Sequence, residues 1–100
     1  MKLVTSLDYI TNIQTQFFNV NLKQDEVLYY KYQQKTPYSL LILIDYSHNE
    51  LVLEFSGKIL LEHYPQLINT DTIGECIDNI NKLAVCSLDR DNIISNANVV

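Results

Sequence analysis

The residues best suited to chemistry in this chain are Tyr29, Tyr30, Lys31, Tyr32 and Lys35, which interleave aromatic rings with amines. Rings presented on a sheet stack on unpaired nucleobases, and neighbouring ammonium groups meet the phosphates. Alternation along a strand limits which of them act together. Tyr30 and Tyr32 share one face, while Tyr29 shares the other with Lys31. At least one of those faces must be core. Nucleic-acid contact through Tyr30, Lys31, Tyr32 and Lys35 and ordinary strand packing by the same tyrosines therefore both remain open.

Other chemistries find less support. His48 and His63 stand fifteen residues apart, in no spacing that suits a metal. His48 falls in a turn and reads as solvated. His63 closes a short helix, where its positive charge suits the C-terminal end of the helix dipole. Cys76 and Cys86 are ten apart with no second pair. Cys76 lies on an apolar stripe and reads as a buried small hydrophobe, and Cys86, past the helix end, reads as partly exposed. Nucleophilic catalysis needs a base and an oxyanion site, and no Cys/His arrangement offers them. Gly57 and Gly74 are isolated, so no phosphate-cradling loop exists. Asp45, Glu50 and Glu54 flank a hairpin, as a carboxylate pair or, more simply, as a solvated strand edge. No catalytic residue, metal ligand or cofactor is assigned.

The elements that must position these groups follow from pattern. Residues Glu26 to Tyr32 are aromatic and branched, which suits a pleated surface. Gln34-Lys35-Thr36-Pro37 is turn chemistry. Leu40 to Ile44 is an apolar run short enough for a central strand buried on both faces. Ser47-His48-Asn49 makes a second turn, and Leu51 to Phe55 alternates with Glu54 outward. Ser56 is placed to cap a short helix over Gly57 to His63 that stops at Pro65. Thr72 and Glu75 have capping-box spacing. Behind them Ile73, Cys76, Ile77, Ile80, Leu83 and Ala84 recur at helical intervals, leaving Asp78, Asn79, Asn81 and Lys82 for the wet side. Asp89 or Ser87 caps another short helix carrying Ile93 and Ile94. Residues 1–25 read as mixed, a short strand then helix or loop, with Asn19 to Asp25 a connection. Ala97 to Val100 reads as the beginning of a strand. The expectation is an α+β fold: an antiparallel meander of three to four strands, with one main helix, about 72–85, packed on one face. The other face of the apolar run needs at least partial cover, from residues 1–25 or from further sequence.

One hundred residues make one domain, residues 1–100, large enough to bury roughly two-thirds of its unfolded surface. With 47% hydrophobic and 19% charged residues and only two Gly and two Pro, collagen-like and broadly disordered classes are excluded. The net charge of −5 argues against a dedicated duplex-DNA binder. Charge is uneven: residues 1–40 carry four lysines against three acids, and residues 41–100 three bases against nine acids. An anion would be met by the first half. No apolar run approaches the ~18 residues of a membrane span, and Asp8 interrupts any signal-like start. A cytoplasmic location with free thiols is expected.

From Tyr29 onward the order of features resembles a known family. The residues are Tyr30-Lys31-Tyr32, Leu40-Leu41-Ile42 leading to Asp45-Tyr46, and Leu51 through Leu61. Tyr64-Pro65-Gln66-Leu67-Ile68-Asn69, Ile73 through Leu83 and Asn98-Val99-Val100 follow. Together they resemble the N-terminal portion of phage and plasmid replication initiators of the filamentous-phage nickase type, common in Bacteroides-like bacteria. Such proteins start rolling-circle DNA replication by nicking one origin strand through a tyrosine, with a divalent metal positioning the phosphate. The resemblance implies origin DNA, in part single-stranded, as partner. It implies no catalytic residue here, because the His-hydrophobic-His motif and the nucleophile motif are absent and belong beyond Val100. The chain then reads as the N-terminal part of a longer protein, a scaffold and DNA-contact domain without catalysis of its own. Two alternatives compete: a small acidic phage-type interaction protein or DNA-mimic inhibitor, and a binding module using an open sheet edge.

Overall fold

The apolar run from Leu40 forms the middle of the sheet. The computed structural model describes residues 1–34, 39–56 and 72–100. Along the chain run β1 (Lys2–Ser6), β2 (Ile10–Thr11), β3 (Asn19–Lys23), β4 (Glu26–Gln34), β5 (Leu40–Asp45) and β6 (Glu50–Glu54). Helix α1 (Ile73–Asn81), β7 (Ser87–Leu88), α2 (Arg90–Asn96) and β8 (Asn98–Val99) follow. Six strands make one antiparallel sheet in the order β3-β4-β5-β6-β1-β8, and β2 pairs with β7 in a small ribbon. The fold is α+β, and its centre is the meander β4-β5-β6.

The sheet is wider than the three to four strands expected. β1 joins β6 along its whole length, Lys2 opposite Glu54 through Ser6 opposite Glu50. Segment Asn19–Lys23 is a strand and not a connection. Every residue in it is exposed, so it carries no buried alternation to betray it. Among the described residues it pairs with β4 alone, through a hairpin in which Gln24 and Asp25 both hold positive φ, 53° and 64°. Two such residues in succession match the twist of paired strands. Residues 1–25 thus extend the sheet at both sides, while Ile10 and Phe18 join the core.

One face of the sheet carries the helical layer. Leu40, Ile42, Ile44, Leu51, Leu53 and Leu3 are almost wholly buried and form one cluster with Cys76, Ile77 and Ile80 of α1 and Ile93 of α2. Complete burial of each such isoleucine is worth roughly 1.5–3 kcal/mol. Helix α1 ends sooner than the 72–85 span expected: Ala84 lies beyond it at φ 59° and is exposed. Thr72 caps it with helical backbone and no side-chain capping bond, so the capping box is not formed. Asn79, expected on the wet side, is buried at 6% exposure. Asn81 instead bridges elements. Its Oδ1 accepts from Leu88 N at 2.8 Å and its Nδ2 donates to Leu88 O at 3.3 Å, tying α1 to β7. Asp89 caps α2, accepting from Asn92 N at 3.4 Å, and β8 pairs with β1 through Leu3 opposite Val99. The helix placed over Gly57 to His63, with His63 itself, lies outside the described residues. Among the described residues no helix is long and apolar enough to cross a membrane.

Candidate nucleic-acid interface

Register decides what each tyrosine of β4 faces. Tyr30 lies opposite Ile44 and Tyr32 opposite Ile42, so both rings point to the helical face. There they pack on Phe18, with ring centroids 6.4 and 5.7 Å away, and Tyr30 also meets Tyr46 at 6.1 Å. Lys31 is opposite Leu43 and Tyr29 opposite Asp45. Lys31 therefore points away from Tyr30 and Tyr32, and its aromatic companion on that face is Tyr29. Lys35 lies outside the described residues.

On the Lys31 side the sheet forms a cleft of about 430 Å³, lined by Leu28, Tyr29, Lys31, Leu41, Leu43, Asp45, Ser47 and His48. Leu41 and Leu43 are its floor by strand alternation. Leu28 is there for a different reason. Asn21 pairs with Tyr29 while Leu22 pairs with Val27, so Leu28 is an extra residue in β4. Such a bulge re-aims a side chain, and Leu28 lines the same cleft as its neighbour Tyr29. Period-two reading of the sequence places the two on opposite faces, which is why Leu28 was not legible as a site residue.

The turn after β5 closes one end. Asp45 Oδ1 accepts from Ser47 N at 3.0 Å, Ser47 Oγ at 2.6 Å and His48 N at 3.2 Å. Its Oδ2 lies 2.7 Å from His48 Nδ1. Hydrogen bonds from Ser47, then those from His48 and its charge, outweigh desolvation and hold the Asp45 carboxyl below its usual range. The same carboxylate raises His48 above its ordinary value. The trio resembles a catalytic triad in composition only. In a triad the serine and the carboxylate engage opposite ring nitrogens. Here Ser47 Oγ, at 3.1 Å, and Asp45 both sit at Nδ1, which is turn architecture.

The remaining candidates resolve simply. Cys76 and Cys86 are free and buried, so Cys86 is not partly exposed as expected. Burial pushes both thiols up to about 11, with Glu75 adding to the effect at Cys76. The divalent cation that the resemblance implies for the full-length family finds no donor set among the described residues. Among the described residues no three of His, Cys, Asp and Glu come together, and both oxygens of Asp45 are engaged by its own turn. Acids lie on both sides of the sheet. Asp45 and Glu50 pair across β5 and β6 on the cleft side, while Asp78 and Asp91 flank Arg90 in the helical layer at 3.2 and 3.6 Å. No protein-family model matches the chain, and no curated protein or solved structure matches it either.

Proposed function

We propose that the chain is a contact and scaffold domain of a rolling-circle replication initiator, acting in the cytoplasm on single-stranded origin DNA. The resemblance of residues 29–100 to such initiators supports the process. One observation supports the contact: Tyr29 and Lys31 stand side by side on the face of β4 away from the helical layer, with a cleft beneath them. An aromatic ring beside an ammonium group is the minimal unit that stacks a base and meets its phosphate.

The test is binding of the hundred-residue chain to a fluorescent oligothymidylate at about 50 and about 200 mM salt. Affinity is expected to fall as salt rises, and to exceed affinity for a duplex of equal length. No binding at the lower salt would overturn the proposal.

A further inference from the structure

The cleft beside Tyr29 combines an apolar floor with a few polar groups. Its volume of about 430 Å³ falls within the ~300–1,000 Å³ range of small-molecule sites. Its floor is aliphatic, from Leu41 and Leu43, and the bulge turns Leu28 inward to extend it. Tyr29 supplies a phenol wall. Lys31 lies opposite Leu43, midway along the floor, and Tyr29 lies opposite Asp45, whose turn with Ser47 and His48 closes that end.

We propose that this cleft is a subsite for one nucleotide, its base held on the Leu28-Leu41-Leu43 floor against Tyr29 and its phosphate at Lys31. The proposal rests on the strand-binding reading above and specifies where a base leaves the strand. Charge orients the nucleotide: a phosphate beside Asp45 would meet a carboxylate, whereas one pleat along, toward Lys31, it meets an ammonium. The carboxylate accepts four hydrogen bonds or contacts from its own turn, about the full capacity of an ionised carboxylate. It therefore shapes the wall and leaves base-edge contact to His48. A flat ring with one anionic substituent fits this distribution of an apolar floor, a phenol wall and one ammonium group.

The experiment uses the whole chain and two probes, dTMP and oligothymidylate. With dTMP, amide and side-chain NMR shifts are expected at Leu28, Tyr29, Lys31, Leu43 and His48, and not at Phe18 or Tyr32 on the helical face. With the oligonucleotide, Tyr29→Ala and Lys31→Glu are each expected to weaken binding about tenfold, while Tyr29→Phe and Lys31→Arg stay within about twofold of the parent. The two conservative variants separate loss of contact from loss of fold. Oligonucleotide binding that Tyr29→Ala and Lys31→Glu leave unchanged overturns the subsite and leaves the strand-binding reading standing. Shifts from dTMP in the cleft without oligonucleotide binding keep the subsite and overturn that reading. Absence of both overturns both.

Discussion

At the scale of single residues, the Asp45–His48 pair is the most polarised feature of the cleft. The two groups are 2.7 Å apart, with the His48 side chain 72% exposed and the Asp45 side chain 17%. Solvent screens such a pair heavily, so its worth lies in orienting the turn. Its pH dependence has two limits. His48 is raised above 6.5, chiefly by the hydrogen bond to Asp45; its contribution is complete below that ordinary value and is lost as pH rises through the folded value. Asp45 is lowered below 3.8, first by the Ser47 hydrogen bond; its contribution is complete above 3.8 and is lost as pH falls through the folded value. The pair therefore holds the turn best in mildly acidic solution, between the two. Asp45→Asn removes the two larger causes that raise His48, the carboxylate hydrogen bond and its charge, and leaves only the smaller pull of Glu50. An NMR titration of the imidazole should then show its midpoint moving down toward 6.5, and an unmoved midpoint would show that the carboxylate does not act on the ring.

At the scale of elements, the β3–β4 hairpin stores avoidable strain. Gln24 and Asp25 both occupy the left-handed region, where a side chain costs energy that glycine does not incur. Replacing the pair with Asn-Gly should raise stability by about 1 kcal/mol, seen as a higher urea midpoint at unchanged slope; a lower midpoint would mean that the tight turn is not the dominant form in solution. This hairpin also shows what sequence reading could reach. β4, β5, β6 and α1 were legible because each carries a burial pattern: the Leu40 to Ile44 run, the outward Glu54, the stripe of Cys76, Ile77 and Ile80. β3 was not, since an edge strand exposed on both faces has no such pattern, and Gln-Asp is not the usual signature of its turn. The capping box at Thr72 failed for a related reason, because spacing is necessary for the reciprocal bonds but does not fix the backbone that makes them. At the site, alternation correctly separated Tyr29 and Lys31 from Tyr30 and Tyr32. It could not show which pair the helices would cover, nor a cleft that depends on the extra residue at Leu28.

At the scale of the whole molecule, the core is one contiguous cluster. Its cluster draws on Leu3 at one end of the chain and Ile93 near the other, and the radius of gyration of 13.3 Å matches the ~13 Å of a compact chain this long. Cys76 and Cys86 sit inside that cluster, and each serves as a reporter. With both thiols pushed up to about 11 by burial, only about one in a thousand would be thiolate at pH 8 even if reagent could enter. Their place in that cluster shields both thiols in the folded chain. Labelling by an aromatic disulfide should therefore be slow in native buffer. It should accelerate with urea in step with global unfolding, at the same rate for the two cysteines. Labelling of Cys86 alone, at a rate indifferent to urea, would instead mean that the β2–β7 ribbon opens by itself. The cleft would then lie on a sheet whose helical layer is only loosely attached, and the rigid floor that Leu41 and Leu43 are asked to provide would lose its physical basis.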